Sequence, residues 1–316
     1  DRLRSRGLGD VYKRQRYIFA LVMTILMVAI AEISGEKEII FPEIVALTIG
    51  AWISERQPWN SNKRKMFLLV SLASVVGVCV VRYMHVPLIA EVIMCFAFTG
   101  IALTLTRTTL IPIISACILP VYLQTTSWVY PISVTTMALV IIFMQWCMEK
   151  FGLRPHNSYE PCHFDYKIEL KKWSKLIIVF SLIALIPFNC NAIYFIAPPL
   201  IVTFAEFANV KSPLRKCPIR IFWIMVLASA SGTILREVLN MYLHLPLALC
   251  AAIACMILFA TFERAHTLFP PAGAILLIPM ILRLEDLRYF PFEVAVGAAI
   301  LIPAAMLLFR EKKITL

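Results

Sequence analysis

The sequence predicts an all-α polytopic membrane protein of about 12 transmembrane helices, arranged as two parallel six-helix repeats with broken, proline-containing helices. Three observations carry that expectation. First, 60% of the 316 residues are hydrophobic, only 16% are charged and the mean hydropathy is +0.82, beyond the range of a soluble chain of this length. Second, apolar runs of about 17 to 20 residues recur along the chain, each long enough to cross hydrocarbon as a helix. Third, prolines recur inside such runs at corresponding places, as in "TTLIPIISACILP" (108–120) and "TLFPPAGAILLIP" (267–279).

The chain opens on a basic segment, "DRLRSRGLGDVYKRQ", with no apolar core, which excludes a signal peptide. Its "DVYKRQ" end resembles a translated sequencing adapter, so residues 1–15 are expected to be an artefact and Arg16 the first natural residue. Without them the net charge falls from +11 to +8, since five basic and two acidic residues go. Spans then follow at 17–34, 38–54, 66–83, 87–105, 108–123 and 131–148. A polar cytosolic linker covers 151–174, and six more spans fall at 175–189, 194–209, 221–239, 246–262, 268–282 and 291–309. The domains expected are thus 16–150 and 175–316, one on each side of the linker.

Lys and Arg sort by loop. With the chain starting inside, the connections and tail on the cytosolic side hold 19, against five on the other: Lys37, Arg82, Arg236, Arg283 and Arg288. Short cytoplasmic loops are enriched in these residues, so both termini are expected in the cytosol. The membrane expected is a bacterial inner membrane.

Residues 58–77 lie over 213–232 without a gap, matching at Pro58/Pro213, Phe67/Phe222, Leu72/Leu227, Ala73/Ala228, Ser74/Ser229 and Gly77/Gly232. Further on, "YMHVPL" (83–88) lies over "YLHLPL" (242–247), Pro112 over Pro271 and Pro120 over Pro279. That is the mark of a tandem duplication. Units with an even number of spans enter the membrane in the same sense, related by an axis along its normal. A second topology makes 108–123 and 268–282 re-entrant half-helices, leaving five spans per unit and inverting one copy.

Pro112, Pro270 and Pro271 fall where a helix starts at the cytosolic side, and proline loses nothing at that position. Pro120 and Pro279, about eight residues deeper, interrupt the hydrogen-bond ladder. Broken helices at matching places in two repeats are the best sequence pointer to a transporter's binding site. Small residues Ala272, Gly273 and Ala274, with Ser115 and Ala116 in the first copy, let another helix approach. For a single proline a packing kink is the commoner meaning.

At these residues the sequence resembles a known family. "FPPAGAILLI" is similar to the signature of the HPP integral membrane family, and "SPLRKCPIR…ASASG" to its upstream element, with Ser212, Pro213, Leu214 and Gly232 matching. The resemblance covers roughly 194–283. Phe269 stands where the family has its histidine, with His266 three residues earlier. It implies a bundle of membrane helices and, from some members, movement of small anions such as nitrite.

A helix start offers N–H groups and positive dipole to an anion. The two starts are expected at the cytosolic mouth, beside Arg107 in one copy and Arg264 and His266 in the other. Basic residues at cytosolic span ends also follow from topology alone. Glu43, Glu91 and Glu206 fall within spans and are candidates for proton coupling, although all lie close enough to span ends to snorkel. His85 and His244, each two residues before a proline, are expected to shape turns.

The nine cysteines show no Cys-x-x-Cys pair, and Cys162, His163 and His156 are too sparse for zinc. No phosphate-binding glycine loop, nucleophile elbow or paired-carboxylate motif is seen, so neither catalytic residues nor cofactors are expected. The expected partners are the bilayer and a small anion; nucleic acid is not needed to explain the basic balance, and a homo-oligomer stays open. Two readings follow: a transporter or channel, or a non-transporting membrane scaffold or membrane-embedded enzyme on a lipid-soluble substrate.

Overall fold

A computed structural model describes residues 2–157, 159–160 and 165–310, with side chains from Val11 onward; Cys162, His163, Lys312 and Lys313 lie outside the described residues. Helix dominates, and no strand occurs among the described residues. Lipid leaves little choice, because a backbone without water must bond to itself.

Seven helices are long and apolar enough to cross a bilayer. They are the apolar part of α1 (Arg2–Ser34), α3 (Lys63–Tyr83), α4 (Leu88–Thr106), α6 (Val129–Lys150), α9 (Pro218–Leu235, which continues as a π-turn to Tyr242), α10 (Leu247–Ala265) and α13 (Phe290–Leu308). The chain is an integral membrane protein. α7 (Tyr166–Asn189) is as long, but its first half carries Lys167, Lys171, Lys172 and Lys175. It starts nine residues before the span expected at 175, because Asp165 caps it by accepting from the Lys167 N–H. α1 passes the expected boundary after residue 15 without a break.

Four further helices are short and buried. α2 (Glu43–Thr48) continues as a π-turn, Ile49–Ile53; α5 is Ile113–Leu123 and α8 Pro198–Ala208; α11 (Pro271–Leu277) continues as a 3-10 turn, Ile278–Met280. These are the regions expected to be full spans at 38–54, 108–123, 194–209 and 268–282. Eleven helical residues rise about 16 Å, roughly half of the hydrocarbon. Apolar approach segments, with 3-10 turns at Lys37–Ile39 before α2 and Ile193–Ile196 before α8, make up the remaining depth. A last short helix, α12 (Leu284–Leu287), lies between α11 and α13.

The ends sort into two sets. At one, Lys63 pairs with Glu149, Lys65 donates to the Thr106 carbonyl, Arg107 to the Tyr166 hydroxyl and Arg215 to the Phe309 carbonyl. This joins the starts of α3 and α7 and the ends of α4, α6 and α13 into a basic end. At the other, Gln124 after α5 donates to Glu91 at the start of α4, and Thr125 donates to Glu38 after α1. Arg288, before α13, pairs with Glu237, after α9.

In the first half α3 packs on α5 and α6, and α4 on α5; in the second, α9 packs on α11 and α13, and α10 on α11. The halves also exchange partners: α1 lies on α10 and α7 on α4, while α2 packs on α11 and α5 on α8. His85 and His244 take left-handed φ of 45° and 53° ahead of Pro87 and Pro246, the turns expected of them. Arg107 and His266 do the same as C-caps of α4 and α10.

Two glycines set how closely the short helices approach. A methyl group on Gly77 would strike the Cys117 carbonyl of α5 and come within 3.0 Å of Pro120 Cγ. On Gly232 it would strike the Leu276 carbonyl of α11 and come within 3.1 Å of Pro279 Cγ.

Candidate functional site

The depth at which the short helices begin follows from these contacts. Gly77 lies fourteen residues beyond Lys63, a rise of about 21 Å from the basic end. It faces Cys117, and α5 starts four residues lower, about 15 Å up. Gly232, fourteen residues beyond Pro218, faces Leu276, which puts Pro271 about 14 Å up. Both helices therefore begin near half of a hydrocarbon layer about 30 Å thick.

α2 and α8 begin at the same level and run the other way. The Trp52 carbonyl at the far end of α2 accepts from Arg16, and the Phe207 carbonyl at the far end of α8 accepts from Arg215, both at the basic end. Four helix starts meet in the middle. The first turns of all four enclose one cavity of about 10 Å³, lined by Glu43 and Ala46, Pro112 and Ser115, Pro199 and Val202, and Pro271 and Ala274.

Proline makes such a start. It supplies no N–H where none can be paired, and it holds the preceding residue extended. Ala197, before Pro198, has φ −46° and ψ 148°. The incoming segments keep carbonyls that lipid cannot satisfy. Ser133 donates to the Ile39 carbonyl at 2.8 Å, and Tyr122 to that of Ile196 at 2.6 Å. Tyr130 reaches the Ala116 carbonyl in the first turn of α5 at 3.0 Å.

Glu43 is the ionisable group of the cavity lining and is 1% exposed. Ser115 donates its hydroxyl to one carboxyl oxygen; the other, Oε2, has no partner. α5 and α8, of eleven residues each, turn the positive ends of their dipoles toward this carboxyl. The remaining lining is proline rings and aliphatic carbon.

The positions expected to form a site divide into three groups. Pro112, Pro271 and Ala274 line the cavity, Pro270 caps α11, and Ala272 and Gly273 lie buried in its first turn, with Gly273 against Val45 of α2. Pro120 and Pro279 stand higher, against Gly77 and Gly232. Arg107, Arg264 and His266 are exposed at the basic end. The helix starts were expected beside them at the mouth. They lie at mid-depth because residues 107–112 and 266–270 travel inward before turning helical.

Arg107 instead stacks on Tyr166 at 5.4 Å. His266 lines a mouth cavity of about 600 Å³ with Glu55, Arg56 and Glu263. The three acids do not converge either. Glu91 accepts from Gln124 at 3.1 Å toward the far end, and Glu206 from Ser212 at 2.8 Å near the basic end. Neither snorkels to water as an exposed group.

Three lining residues lay outside the expectation: Ala46, Pro199 and Val202. "APPL" at 197–200, a proline pair like that of 270–271, was the available signal. Arg236, counted with the loops, is 5% exposed and donates to the carbonyls of Pro279 and Leu282, the latter at 2.9 Å. It places a cation at the C-terminal end of the short α11 segment.

Residues 164–313 match the family model described as "HPP, transmembrane region". No curated protein and no solved structure matches the chain.

Proposed function

We propose, from the premise that residues 164–313 belong to the HPP transmembrane family, that this membrane protein is a transporter or channel for small anions such as nitrite. The observation that carries the reading is the meeting of four helix starts around a buried carboxyl at mid-depth. The positive dipole ends of α5 and α8 favour negative charge there, and discontinuous helices at matching positions are how transporters build central sites. Pro112, Pro271, Ser115 and Ala274 form the wall in this reading, with Glu43 the coupling group.

The reading includes a first half that is a diverged copy of the second, inserted in the same sense. The recurrence of packing partners, of left-handed caps at Arg107 and His266, and of glycine-to-carbonyl contacts at Gly77 and Gly232 supports it. Twelve crossings, four of them a short helix joined to an apolar approach segment, follow from it, as do cytosolic termini in a bacterial inner membrane. The alternative, a non-transporting scaffold or an enzyme on a lipid-soluble substrate, has one observation in its favour. A volume of about 10 Å³ is at the lower limit for a single water, so the centre is closed.

Flux of nitrite, nitrate and chloride into proteoliposomes tests the reading. Uptake of nitrite above that of empty liposomes is expected. Pro271→Ala, which alters the wall, is expected to change the rate severalfold, whereas Arg264→Ala, at the exposed end, is expected to stay within about twofold of the parent protein. Absence of any anion flux contradicts the reading.

A further inference from the structure

We infer that the Glu43 carboxylate is a tethered anion occupying the central site, held by Ser115, and that a free anion passes only after this carboxylate has left. The inference rests on the transport reading above and adds its gate. Glu43 sits in the first turn of α2 and lines the cavity, yet among the described residues no cation pairs with it. Buried charge is held by partners, and here the side-chain partner is a single hydroxyl, that of Ser115.

One carboxyl oxygen is left over and buried. Buried polar groups are as a rule hydrogen-bonded, so the unpaired oxygen marks this carboxyl as weakly held. The wall around Glu43 and Ser115 includes Pro199 and Ala274, and Ala274 stands where the Pro112/Pro271 register puts the counterpart of Ser115. The site therefore carries one anionic hook and one hydroxyl, both from the first half. A carboxylate and a nitrite ion each present two oxygens about a bent centre with a single negative charge. A pocket shaped to the first accepts the second once Glu43 swings out and the volume of its head group is freed.

The test measures binding and flux together. Sodium nitrite and sodium formate are titrated calorimetrically into purified protein, and nitrite flux is followed in proteoliposomes, for the parent protein, Glu43→Gln, Glu43→Asp and the double variant Glu43→Gln with Ser115→Ala. Glu43→Gln keeps shape and removes charge, so its binding is expected to tighten at least tenfold and its flux to rise. Glu43→Asp keeps the charge and is expected to bind as weakly as the parent. The double variant is expected to lose most of the gain, since the hydroxyl that holds the carboxylate then serves the free anion.

Binding by Glu43→Gln no tighter than the parent's, with parent flux intact, overturns the gate while leaving the transport reading in place. Tighter binding with no flux from any variant overturns transport and leaves the tethered occupant standing. Should Glu43→Gln not fold, Glu43→Ser removes the same charge and carries the same comparison.

Discussion

Replacing Gly232 with valine is expected to destabilise the protein by about 3 kcal/mol, the upper part of the range for overpacking a filled interior. The new Cβ collides with the Leu276 carbonyl, a backbone atom that cannot rotate aside, and the branch adds a second clash near Pro279. Gly77→Val is expected to behave alike against Cys117 and Pro120. Thermal unfolding in detergent reads both. Because Gly232 and Gly77 fix the height of α11 and α5 against α9 and α3, the same substitutions are expected to move the helix starts that wall the central cavity. Unchanged stability in both variants would show that the close approach is absent.

Arg236→Met is expected to lower stability by about 3 kcal/mol, since each hydrogen bond from a charged group contributes about 1.5 to 3 kcal/mol and two carbonyls lose their donor together. The carbonyls of Pro279 and Leu282 end the short α11 segment and face away from water. Methionine fills similar volume without a donor, which separates the hydrogen bonds from packing. Arg236→Lys is expected to recover part of the loss, because a single ammonium reaches one carbonyl well and two poorly. Thermal unfolding in detergent again provides the measure, and a variant as stable as the parent protein contradicts the capping role.

Membrane class and the family match of residues 164–313 were legible in the sequence. Composition and run length decide the first, and "FPPAGAILLI" decides the second. Depth was not legible. Hydropathy adds Leu110 and Ile111, or Leu268 and Phe269, to the helix that follows, since a run of apolar residues scores alike whether its backbone is extended or helical. Half-helices therefore looked like whole spans, and Pro112 and Pro271 looked like residues of the mouth.

Glu43 was visible as an acid in a greasy run, but its meaning depends on Ser115, which approaches from 72 residues away. The same holds for Arg236, whose acceptors arrive from 43 and 46 residues further along the chain. Loop charge was legible to the extent that basic residues gather at one end. It could not separate Arg236, a buried cap, from Arg283 and Arg288 in the connection beyond, because counting charges carries no information about who receives the hydrogen bonds.

The transport reading has the two halves entering the membrane in the same sense. Single cysteines at Arg64, Lys216, His85 and His244, all exposed, introduced into a cysteine-free background and labelled with a membrane-impermeant maleimide on intact cells or oriented vesicles, test this most directly. Positions 64 and 216 are expected to label together from one face, and 85 and 244 together from the other. Labelling of 64 and 216 from opposite faces contradicts the parallel arrangement, and the central anion site with it.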